Sequence, residues 1–560
     1  MSDNLWQRKR CYITTPIYYA NGTPHIGNAY TSFLADLLAR LKRLAGYEVK
    51  FATGTDENGQ KMMRTAADAG KSLDDFLHDI ADIHKSMWHH LQISYTDFIR
   101  TTSPLHTDFV QDVVRKTFAA EYMYRWAYKG FYCVGCEAFK KETDLTPEGT
   151  CPDHLTKPEI IEEENRFFAL SRMQDFLQTW YTAHPDFCLP HKRYNEVRAF
   201  VEQGLEDFSV SRQWSPVGIP FPADVDPDAV VYIWFDALYN YMTVCQDSRN
   251  QEMIRQRDAG KTEHMTPAER ALDREGERRS GDVQKIHVLW KDIARFHAIY
   301  RPAMLHAIWE EQPDHLIING FFTVDGQKMS KSLGNSLHPW ALIEEYGRDA
   351  LVYYLFSDIK VWSDGDFSTQ RLADTKENVL KKTRWNLVSR TIALALKNNV
   401  NEFAYTSTHA WWWEKQLDAI SSNTLGQLLR SWSLDRHDHI QQTIDTYTDK
   451  VDLHRYIQDW YELVQVTNKF VDDTKPRETA KTDLPNAQAA IASTLWMIKN
   501  LALLGSPFLL ESTRILQDLF LREDKDRRQR STDTSDMTAP LPQLLSATSG
   551  ACTLQKGHLF

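Results

Sequence analysis

Two short segments of this sequence carry residue types suited to holding phosphate groups. The first, residues 24–28, reads Pro-His-Ile-Gly-Asn and lies between a predicted strand and a predicted helix. A helix start presents backbone N–H groups and a partial positive charge, so it attracts phosphate. Gly27 would let a flat ring approach the backbone closely, and His25 can donate a hydrogen bond to an oxygen that gains charge. An ordinary strand-to-helix turn is the alternative for these residues alone.

The second segment, residues 325–335, reads Asp-Gly-Gln-Lys-Met-Ser-Lys-Ser-Leu-Gly-Asn. Lys328 and Lys331 lie three residues apart among small residues, with glycines on both sides. This pattern is typical of a mobile cationic loop that can close over polyphosphate. Taken alone, the segment also fits a solvated surface turn.

Together the two segments resemble the signature of class I aminoacyl-tRNA synthetases. A strand, a His-Ile-Gly turn and a helix come early, and the full Lys-Met-Ser-Lys-Ser loop comes far along the chain. The resemblance implies that ATP is bound with Mg²⁺ and that four residues are catalytic, namely His25, Asn28, Lys328 and Lys331. The ATP-binding residues it implies are His25, Gly27, Asn28, Asn319, Lys328, Met329, Ser330, Lys331 and Ser332.

The sequence predicts that the elements that position these residues form an α/β fold. Residues 11–17 are β-branched and aromatic, which predicts a buried strand. Apolar residues at helical spacing from Phe33 to Leu44 predict a helix that ends before Gly46, and residues 48–54 predict the next strand. This order predicts a Rossmann-like parallel sheet. Further strands of that sheet are predicted at residues 229–234, 285–289 and 315–323.

Length and composition fit several soluble domains. The 560 residues carry 65 Lys plus Arg and 76 Asp plus Glu, and the net charge of -11 argues against non-specific nucleic-acid binding. No secretory leader and no apolar run of membrane-spanning length is evident, so we expect a cytoplasmic protein with no membrane contact. The predicted domains are a catalytic first half (1–118), a connective insertion (119–224), a catalytic second half (225–320, with a surface insertion at 246–282), a lysine-loop region (321–372), an all-α domain (373–521) and a flexible tail (522–560).

The predicted insertion carries a cysteine pattern that fits zinc. Cys133 and Cys136 form a C-x2-C knuckle, and Cys151 is followed by His154 in a C-x2-H pair. Four such ligands fit one tetrahedral structural Zn²⁺, which lacks the open position of a catalytic site. Incidental thiols are the alternative. Seven cysteines in so long a chain otherwise fit a reducing compartment.

Several further segments narrow the resemblance to methionyl-tRNA synthetases. Matches run from about residue 11 to about residue 521, and the spacing between the sheet halves is too short for the large editing insertion of leucyl, isoleucyl and valyl relatives. The matching segments are residues 14–27, 53–59, 131–133, 203–212, 231–238, 291–297 and 365–368.

This resemblance implies a methionine pocket. Asp56 matches the carboxylate that pairs with the methionine ammonium. The side-chain pocket is matched by Ile17, Tyr19, Trp234, Ala237, Leu238, Tyr241, Ile293, Phe296 and His297. Aromatic and aliphatic walls suit a polarizable sulfur, and Tyr241 and His297 are positioned by the family pattern to contact it. Core packing is the alternative for this aromatic set.

The activity implied is methionine–tRNA ligation. Methionine is activated by ATP to methionyl-adenylate, and methionine then passes to the terminal ribose of tRNA(Met), which carries a CAU anticodon. The helical domain is expected to contact that anticodon through Asn386 and Arg390, which lie one helical turn apart in a basic stretch. Arg477 stands where the family usually has a stacking tryptophan, and its guanidinium can also stack on a base. A solvated basic face is the alternative.

Other positions also depart from the family pattern. Asn28, Asn58 and Asn319 stand where histidine is usual, so we expect activation to depend weakly on pH between about 6 and 7.5. Trp290 replaces a usual glycine, and Val217 replaces a usual tryptophan. These departures leave open a divergent paralogue that binds tRNA without activating methionine. A second alternative is another small class I synthetase such as a cysteinyl type, against which Trp234, Tyr241 and His297 argue. We expect a monomer, because the chain shows no further module after the helical region.

Overall fold

The computed structural model describes residues 9–133, 138–140, 142–152, 156–213, 217–245, 283–324, 326–328, 337–400, 402–403, 410–420, 422–433, 439–520 and 552–553. The chain divides into two compact units. We call Arg10–Pro24 with Lys50–Asn319 the sheet unit. We call Met1–Lys9, His25–Val49 and Gly320–Phe560 the helical unit.

The strands vary in length, and the longest belong to the two larger sheets. In chain order they are β1 (Arg10–Tyr19), β2 (Glu48–Asp56), β3 (Asp97–Arg100), β4 (Met123–Cys133), β5 (Ala138–Lys140), β6 (Glu159–Phe168), β7 (Cys188–Leu189), β8 (Phe208–Ser209), β9 (Ser211–Arg212), β10 (Val230–Val231), β11 (Val283–Trp290), β12 (His315–Asn319), β13 (Phe322–Val324), β14 (Gln327–Lys328), β15 (Gly365–Phe367), β16 (Glu402–Phe403) and β17 (Cys552–Thr553).

Helices occur along the whole described chain and predominate in its second half. They are α1 (Ile26–Leu44), α2 (Gln60–Asp68), α3 (Leu73–His90), α4 (Pro104–Ala119), α5 (Gln174–Ala183), α6 (His191–Glu202), α7 (Ile233–Ala237), α8 (Arg301–Ala307), α9 (Pro339–Tyr346), α10 (Arg348–Ser357), α11 (Thr369–Asp374), α12 (Asn386–Lys397), α13 (Ala410–Ala419), α14 (Thr424–Ser433), α15 (His439–Thr448), α16 (Leu453–Thr474), α17 (Pro476–Thr479), α18 (Leu484–Gly505) and α19 (Leu510–Phe520). Phe296–Tyr300 and Thr375–Trp385 are π-helical, and Lys291–Ile293 is a 3-10 turn.

The sheet unit is built on a six-stranded sheet in the order β3-β2-β1-β11-β12-β7. The pairings of β1 with β11, β11 with β12, β12 with β7 and β2 with β3 are parallel. This arrangement confirms the predicted α/β class and the strands expected near residues 11–17, 48–54 and 285–289. The carboxyl ends of parallel strands meet at one edge, which is where such folds usually bind ligands.

Two predicted strands differ from the structure. Residues 229–234 were expected to join the parallel sheet, but only β10 is extended, and it pairs antiparallel with β9 in a separate small sheet. Helix α7 begins soon afterwards, at Ile233. A short continuous apolar run fits a buried helix as well as a strand, so the pattern alone did not distinguish the two. Residues 315–323 were expected to form one strand, but β12 ends at Asn319 and β13 belongs to another sheet. At the break, a Cβ on Gly320 would lie 2.3 Å from the Ser363 carbonyl oxygen, so only glycine fits.

The segment predicted as a connective insertion forms a second sheet. Its strands lie in the order β5-β4-β6-β8, and β4 and β6 pair antiparallel from Met123 opposite Phe168 to Tyr132 opposite Glu159. The same segment also supplies β7, which extends the six-stranded sheet beside β12. Sequence patterning missed this two-residue strand.

The helical unit contains α1, the small β14-β13-β15 sheet and the helices from α9 onward. Helix α1 is tied to α15 by the buried Lys42 ammonium, which lies 2.7 Å from a carboxylate oxygen of Asp445 and 3.0 Å from one of Asp449. It is tied to α10 by Arg348, whose guanidinium lies 3.2 Å from Asp36. These buried ionic contacts fix the helix whose first turn carries His25.

Helix α18 corrects one expectation from the sequence. By length and composition alone it could cross a membrane, although the sequence analysis found no such run. In the structure, 72% of its most apolar stretch is buried within the protein. The helix therefore serves as an apolar core element of the helical unit.

Candidate active site

The first turn of α1 is closed by a reciprocal cap between His25 and Asn28. His25 Nδ1 accepts a hydrogen bond from the Gly27 N–H at 3.0 Å, and Asn28 Oδ1 accepts one from the His25 N–H at 3.0 Å. Because Nδ1 is an acceptor here, the neutral His25 ring carries its proton on Nε2. Asn28 thus fills the role that a side-chain acceptor plays in a capping box.

These contacts refine the expected phosphate site. The N–H of Gly27 is already engaged by His25, and the N–H of Ile26 donates to the Leu337 carbonyl oxygen at 3.2 Å. The donors that the first turn offers a phosphate are therefore fewer than the sequence alone implied. The helix dipole and the Nε2–H of His25 are the features of this turn that favour an anion.

The predicted lysine loop is described only at its margins. Lys328 lies in β14, where its backbone pairs with Thr323 of β13. Met329, Ser330, Lys331 and Ser332 lie outside the described residues. The chain is described again at Leu337, whose carbonyl accepts the bond from Ile26. The segment that follows the loop therefore contacts the start of α1 within one unit.

The aromatic residues predicted for the methionine pocket come together in the sheet unit. The indole of Trp234, in α7, stacks on the Phe296 ring with centroids 3.8 Å apart and planes 5° from parallel. Tyr19, at the end of β1, meets Trp234 edge-on at 6.4 Å. Ile293 lies in the 3-10 turn after β11, and its carbonyl accepts a hydrogen bond from His297. The remaining predicted members are Ile17 on β1 and, in and after α7, Ala237 and Leu238.

Tyr241 and His297 form a buried hydrogen-bonded pair beside this aromatic cluster. The Tyr241 hydroxyl lies 2.7 Å from His297 Nε2, and His297 Nδ1 lies 3.0 Å from the Ile293 carbonyl oxygen. A carbonyl can only accept, so Nδ1 carries the ring proton and Tyr241 donates to Nε2. Burial lowers the pKa of His297 to about 4, the bond to Ile293 opposes this shift, and the charge of Arg301 adds to it. Burial also raises the pKa of Tyr241. Both side chains are therefore neutral near pH 7.

A second carboxyl group lies near the predicted ammonium partner. Asp56 is buried at the end of β2. Asp236 in α7 is also buried, and its Oδ2 accepts a hydrogen bond from the Asn58 amide at 3.0 Å. Burial and then the charge of Asp56 raise the pKa of Asp236 well above its ordinary value, while the Asn58 bond opposes this. Burial and the neighbouring charge of Asp56 therefore favour the protonated form of Asp236.

Comparison with known proteins shows the family to which this chain belongs. The family model for class I tRNA synthetases, methionyl type, described as "tRNA synthetases class I (M)", matches residues 11–157 and 154–392. The methionine–tRNA ligase of Thermosynechococcus vestitus is 36% identical over 487 residues, covering 87% of this chain and 84% of the relative. That of Thermotoga maritima is 37% identical over 471 residues, covering 83% and 68%. This chain belongs to the class I methionyl-tRNA synthetase family.

A solved family member has the same fold over nearly its whole length. The Mycobacterium tuberculosis methionyl-tRNA synthetase in complex with methionyl-adenylate has a TM-score of 0.80 and 29% identity, covering 98% of this chain and 99% of that one. The apo form of the same enzyme has a TM-score of 0.71. As in that family, the chain combines an α/β region containing a parallel sheet with a helical C-terminal region.

Asn319 and Trp290, two positions that depart from the family pattern, both have neighbours in the sheet unit. Asn319 ends β12, is 1% exposed, and pairs through its backbone with Trp290. The Trp290 ring meets Tyr18 edge-on at 5.5 Å. The ring that replaces the usual glycine thus packs against an aromatic neighbour on β1.

The metal-ligand pattern is only partly described. Cys133 and Cys151 are 1% and 0% exposed, Cys133 ends β4, and the Cys151 N–H is held by the Thr156 carbonyl at 2.8 Å. Cys136 and His154 lie outside the described residues. Within the described ranges no group of three potential ligands converges. The two buried thiols have the donor chemistry that Zn²⁺ prefers. The zinc assignment stays a prediction.

The three predicted anticodon residues lie in the helical unit. Asn386 and Arg390 are both exposed and lie one turn apart on α12. Arg477 is exposed on α17, two residues after Lys475, whose backbone adopts a left-handed conformation with φ +42°. Exposure makes all three available to a nucleic acid, which is necessary for the predicted contact.

Sequence reasoning missed two buried charged groups near the pocket. Asp236 interrupts the apolar segment around Trp234, and a lone acid in such a run was a usable signal. Arg301 follows the π-helix that carries His297 and is only 4% exposed. A single arginine between aromatic and apolar residues gave no periodic signal that would place it in the interior.

Proposed function

We propose that this chain activates L-methionine with ATP, releasing pyrophosphate, and then transfers methionine from the adenylate to the 3′-terminal ribose of tRNA. The observation that carries this proposal is the neutral Tyr241–His297 pair beside the stacked Trp234 and Phe296 rings. Such a pocket suits an unbranched, uncharged thioether. Asp56, buried at the end of β2, supplies the negative charge that the substrate ammonium requires.

The first step needs positioning more than proton transfer. The methionine carboxylate is already ionised near pH 7, so it attacks the α-phosphorus without a general base, and the bond to pyrophosphate breaks. Negative charge on the phosphate oxygens must then be neutralised. We assign this task to the Nε2–H of His25, to Lys328 and to Lys331, with Asn28 holding His25 in place. Mg²⁺ accompanies ATP as its counter-ion.

Asn319 completes the proposed ATP contacts. Its position at the end of β12 is the edge at which parallel sheets present ligand-binding side chains. Gly27, Met329, Ser330 and Ser332 are assigned to the same substrate through the family motifs that they match. The tRNA then attacks the adenylate carbonyl through a terminal ribose hydroxyl, and AMP leaves.

The helical unit is proposed to select tRNA(Met). Exposed Asn386 and Arg390 can hydrogen-bond and stack on unpaired bases of a CAU anticodon, and Arg477 can stack through its guanidinium plane. Local basic groups of this kind supply the phosphate attraction that the net charge of -11 withholds.

Four further assignments belong to the proposal. One structural Zn²⁺ would be held by Cys133, Cys136, Cys151 and His154, and would stabilise the end of the β4–β5 hairpin. We also propose a monomer, a cytoplasmic location and the six-part domain division given above. The sparse cysteines, which fit a reducing compartment, support the location.

Methionine-dependent ATP–pyrophosphate exchange tests the proposed activity. We expect exchange with methionine but not with cysteine or leucine, and a loss of at least about 100-fold in kcat for Lys331→Ala, the size of a lost transition-state contact. Lys192→Ala, at an exposed lysine on α6, is the matched control. Exchange that follows cysteine, or its complete absence in a folded protein, would overturn the proposal.

A further inference from the structure

Lys328, Thr323 and Asp366 lie in one row across the small β14-β13-β15 sheet of the helical unit. Lys328 of β14 pairs antiparallel with Thr323 of β13, and Thr323 pairs parallel with Asp366 of β15. Lys328 is the member of this row that is assigned above to the phosphates of ATP. The backbone from which its side chain extends is therefore set by β13 and by the turn that joins β13 to β14.

One carboxylate oxygen of Asp366 holds both of these features. Its Oδ1 accepts a hydrogen bond from the Thr323 hydroxyl at 2.8 Å and another from the Gly326 N–H at 2.7 Å. Gly326 lies in the turn with φ +76°, a conformation that glycine adopts without strain. Asp366 thus reaches past its neighbouring strand to a residue two positions before Lys328.

The second carboxylate oxygen of Asp366 faces a separate ion pair. Arg371, on α11, lies 3.4 Å from Asp366 Oδ2 and 2.7 Å from Asp358 Oδ2. The Asp366 and Arg371 side chains are 44% and 45% exposed, so solvent screens this pair and it contributes little to stability. The hydrogen bonds from Gly326 and Thr323, more than the charge of Arg371, lower the pKa of Asp366 below its ordinary value. Asp366 is therefore ionised at neutral pH, and its Oδ1 bonds are charge-assisted.

We propose that Asp366 is a positioning residue for methionine activation: through Thr323 and the turn at Gly326, it fixes the backbone from which Lys328 reaches the ATP phosphates. A charged donor stabilises the transition state only if it is held in place beforehand, and a displacement of about 1 Å can cost about 100-fold in rate. Asp366 touches no substrate in this assignment. The assignment rests on the proposed function, because Asp366 acts only through the lysine that is named there.

The kinetics of methionine-dependent ATP–pyrophosphate exchange test this role. Asp366→Ala removes both Oδ1 bonds, so we expect kcat to fall about tenfold or more while the KM for methionine stays within about twofold of wild type. Asp366→Asn keeps an oxygen acceptor for Gly326 and should retain most of the activity. Asp366→Glu keeps the charge but moves it outward by one methylene, so it should lose activity as the alanine variant does. It replaces that variant if Asp366→Ala does not fold. An unchanged kcat in both would overturn the proposal.

Two further variants separate the turn from its surroundings. Asp358→Ala removes the other partner of Arg371 but leaves both Oδ1 bonds, so its kcat should equal that of wild type. Asp366→Ala combined with Lys328→Ala should be no slower than Lys328→Ala alone, because a residue that acts through the lysine has no effect once the lysine is gone. Losses that multiply in the double variant, or a loss in Asp358→Ala as large as in Asp366→Ala, would overturn the assignment.

Amide hydrogen–deuterium exchange of residues 320–328 in the full chain gives a readout that does not depend on catalysis. Without the carboxylate, the Thr323 hydroxyl still has the Gly365 carbonyl oxygen as an acceptor at 3.3 Å, whereas the Gly326 N–H loses its bond to Asp366. We expect faster deuterium uptake in Asp366→Ala and Asp366→Glu, and wild-type uptake in Asp366→Asn and Asp358→Ala. Unchanged uptake in Asp366→Ala would refute the inference. Absent methionine-dependent pyrophosphate exchange in a folded wild type would instead refute the proposed function.

Discussion

The N–H of Ile26 donates to the carbonyl oxygen of Leu337 across 3.2 Å. This bond joins the first turn of α1 to the segment that follows the lysine loop, although more than half of the chain separates the two residues in sequence. Lys328, the last described residue before the predicted lysine loop, and Leu337, the first described residue after it, therefore belong with α1 to one compact unit.

His25 has two separable tasks in this turn, one for each ring nitrogen. Its Nδ1 caps Gly27, and its Nε2–H is the donor proposed for phosphate. An asparagine side chain places an acceptor near the position of Nδ1 but has no group at the position of Nε2. A glutamine side chain places its amide near the position of Nε2 but has no acceptor near that of Nδ1. We expect His25→Asn to lower kcat of exchange by about 100-fold or more at nearly unchanged stability. His25→Gln should retain more activity and lose about 1 kcal/mol of stability. Equal activity losses in the two variants would contradict this division.

Asp236 should make the stability of the protein depend on pH. Its pKa is raised in the folded state, so the folded chain binds a proton that the unfolded chain releases above about pH 4. Its contribution to stability therefore falls as pH rises from about 4 towards the raised pKa, by at most about 1.4 kcal/mol per pH unit. Asp236→Asn removes this titration, while the amide oxygen can still accept from Asn58. Urea unfolding at pH 5 and 7 should show the variant gaining stability over wild type as pH rises, and a constant difference would be inconsistent with a raised pKa.

Much of the fold could be predicted because its longer strands and helices follow a local periodicity of apolar residues. The buried strands β1 and β11 and the helix α1 follow their apolar patterns closely. The structure departs from prediction where short elements depend on distant partners, as β7 does on β12. It also departs at Gly320, where the strand ends because the chain packs against Ser363. Neither feature leaves a period in the sequence.

The same difference between local patterns and distant contacts applies to the residues of the candidate site. Residues carried by contiguous motifs, such as His25 and Trp234, could be predicted as site residues from sequence, and the structure places Trp234, Phe296, Tyr241 and His297 in contact through two pairs. Asp236 and Arg301 escaped notice because their importance lies in burial beside partners far away in the chain. Burial of a charged residue is a tertiary property.

The proposed zinc site predicts a metal content. Purified protein should contain about one zinc ion per chain, and Cys133→Ser should lose it, because serine is a poor ligand for Zn²⁺ compared with a thiolate. Cys245→Ser, outside the ligand pattern, should keep its zinc. Elemental analysis after dialysis decides between the two outcomes. Zinc retained by Cys133→Ser at the wild-type level would remove Cys133 from the ligand set.

The ionic contact between α1 and α15 should matter for stability. Lys42 is 1% exposed and pairs with Asp445, whose side chain is 18% exposed. Lys42→Met leaves that carboxylate largely buried without a counter-ion, so we expect a loss of about 2–3 kcal/mol, below the range for a fully buried pair because Asp445 keeps some solvent. Asp449 is 54% exposed, so Asp449→Ala should cost less than about 1 kcal/mol. The stability loss of each variant is measured by urea denaturation and, separately, by hydrogen exchange of the α1 amides. Equal losses in the two variants would show that burial does not govern this contact.

Arg477 offers the sharpest test of tRNA recognition. If its guanidinium stacks on an anticodon base and also attracts phosphate, Arg477→Ala should raise the KM for tRNA about tenfold, since stacking is worth about 1–3 kcal/mol per base. Exchange without tRNA should stay unchanged.

Arg477→Trp separates the two contributions of this side chain. The indole keeps a stacking surface but removes the charge, so affinity should be retained while its dependence on salt becomes shallower. Arg514→Ala, at an exposed arginine on α19, is the control for a general loss of positive charge. Aminoacylation kinetics of Arg477→Ala that match wild type at every salt concentration would show that recognition of the anticodon does not pass through this residue.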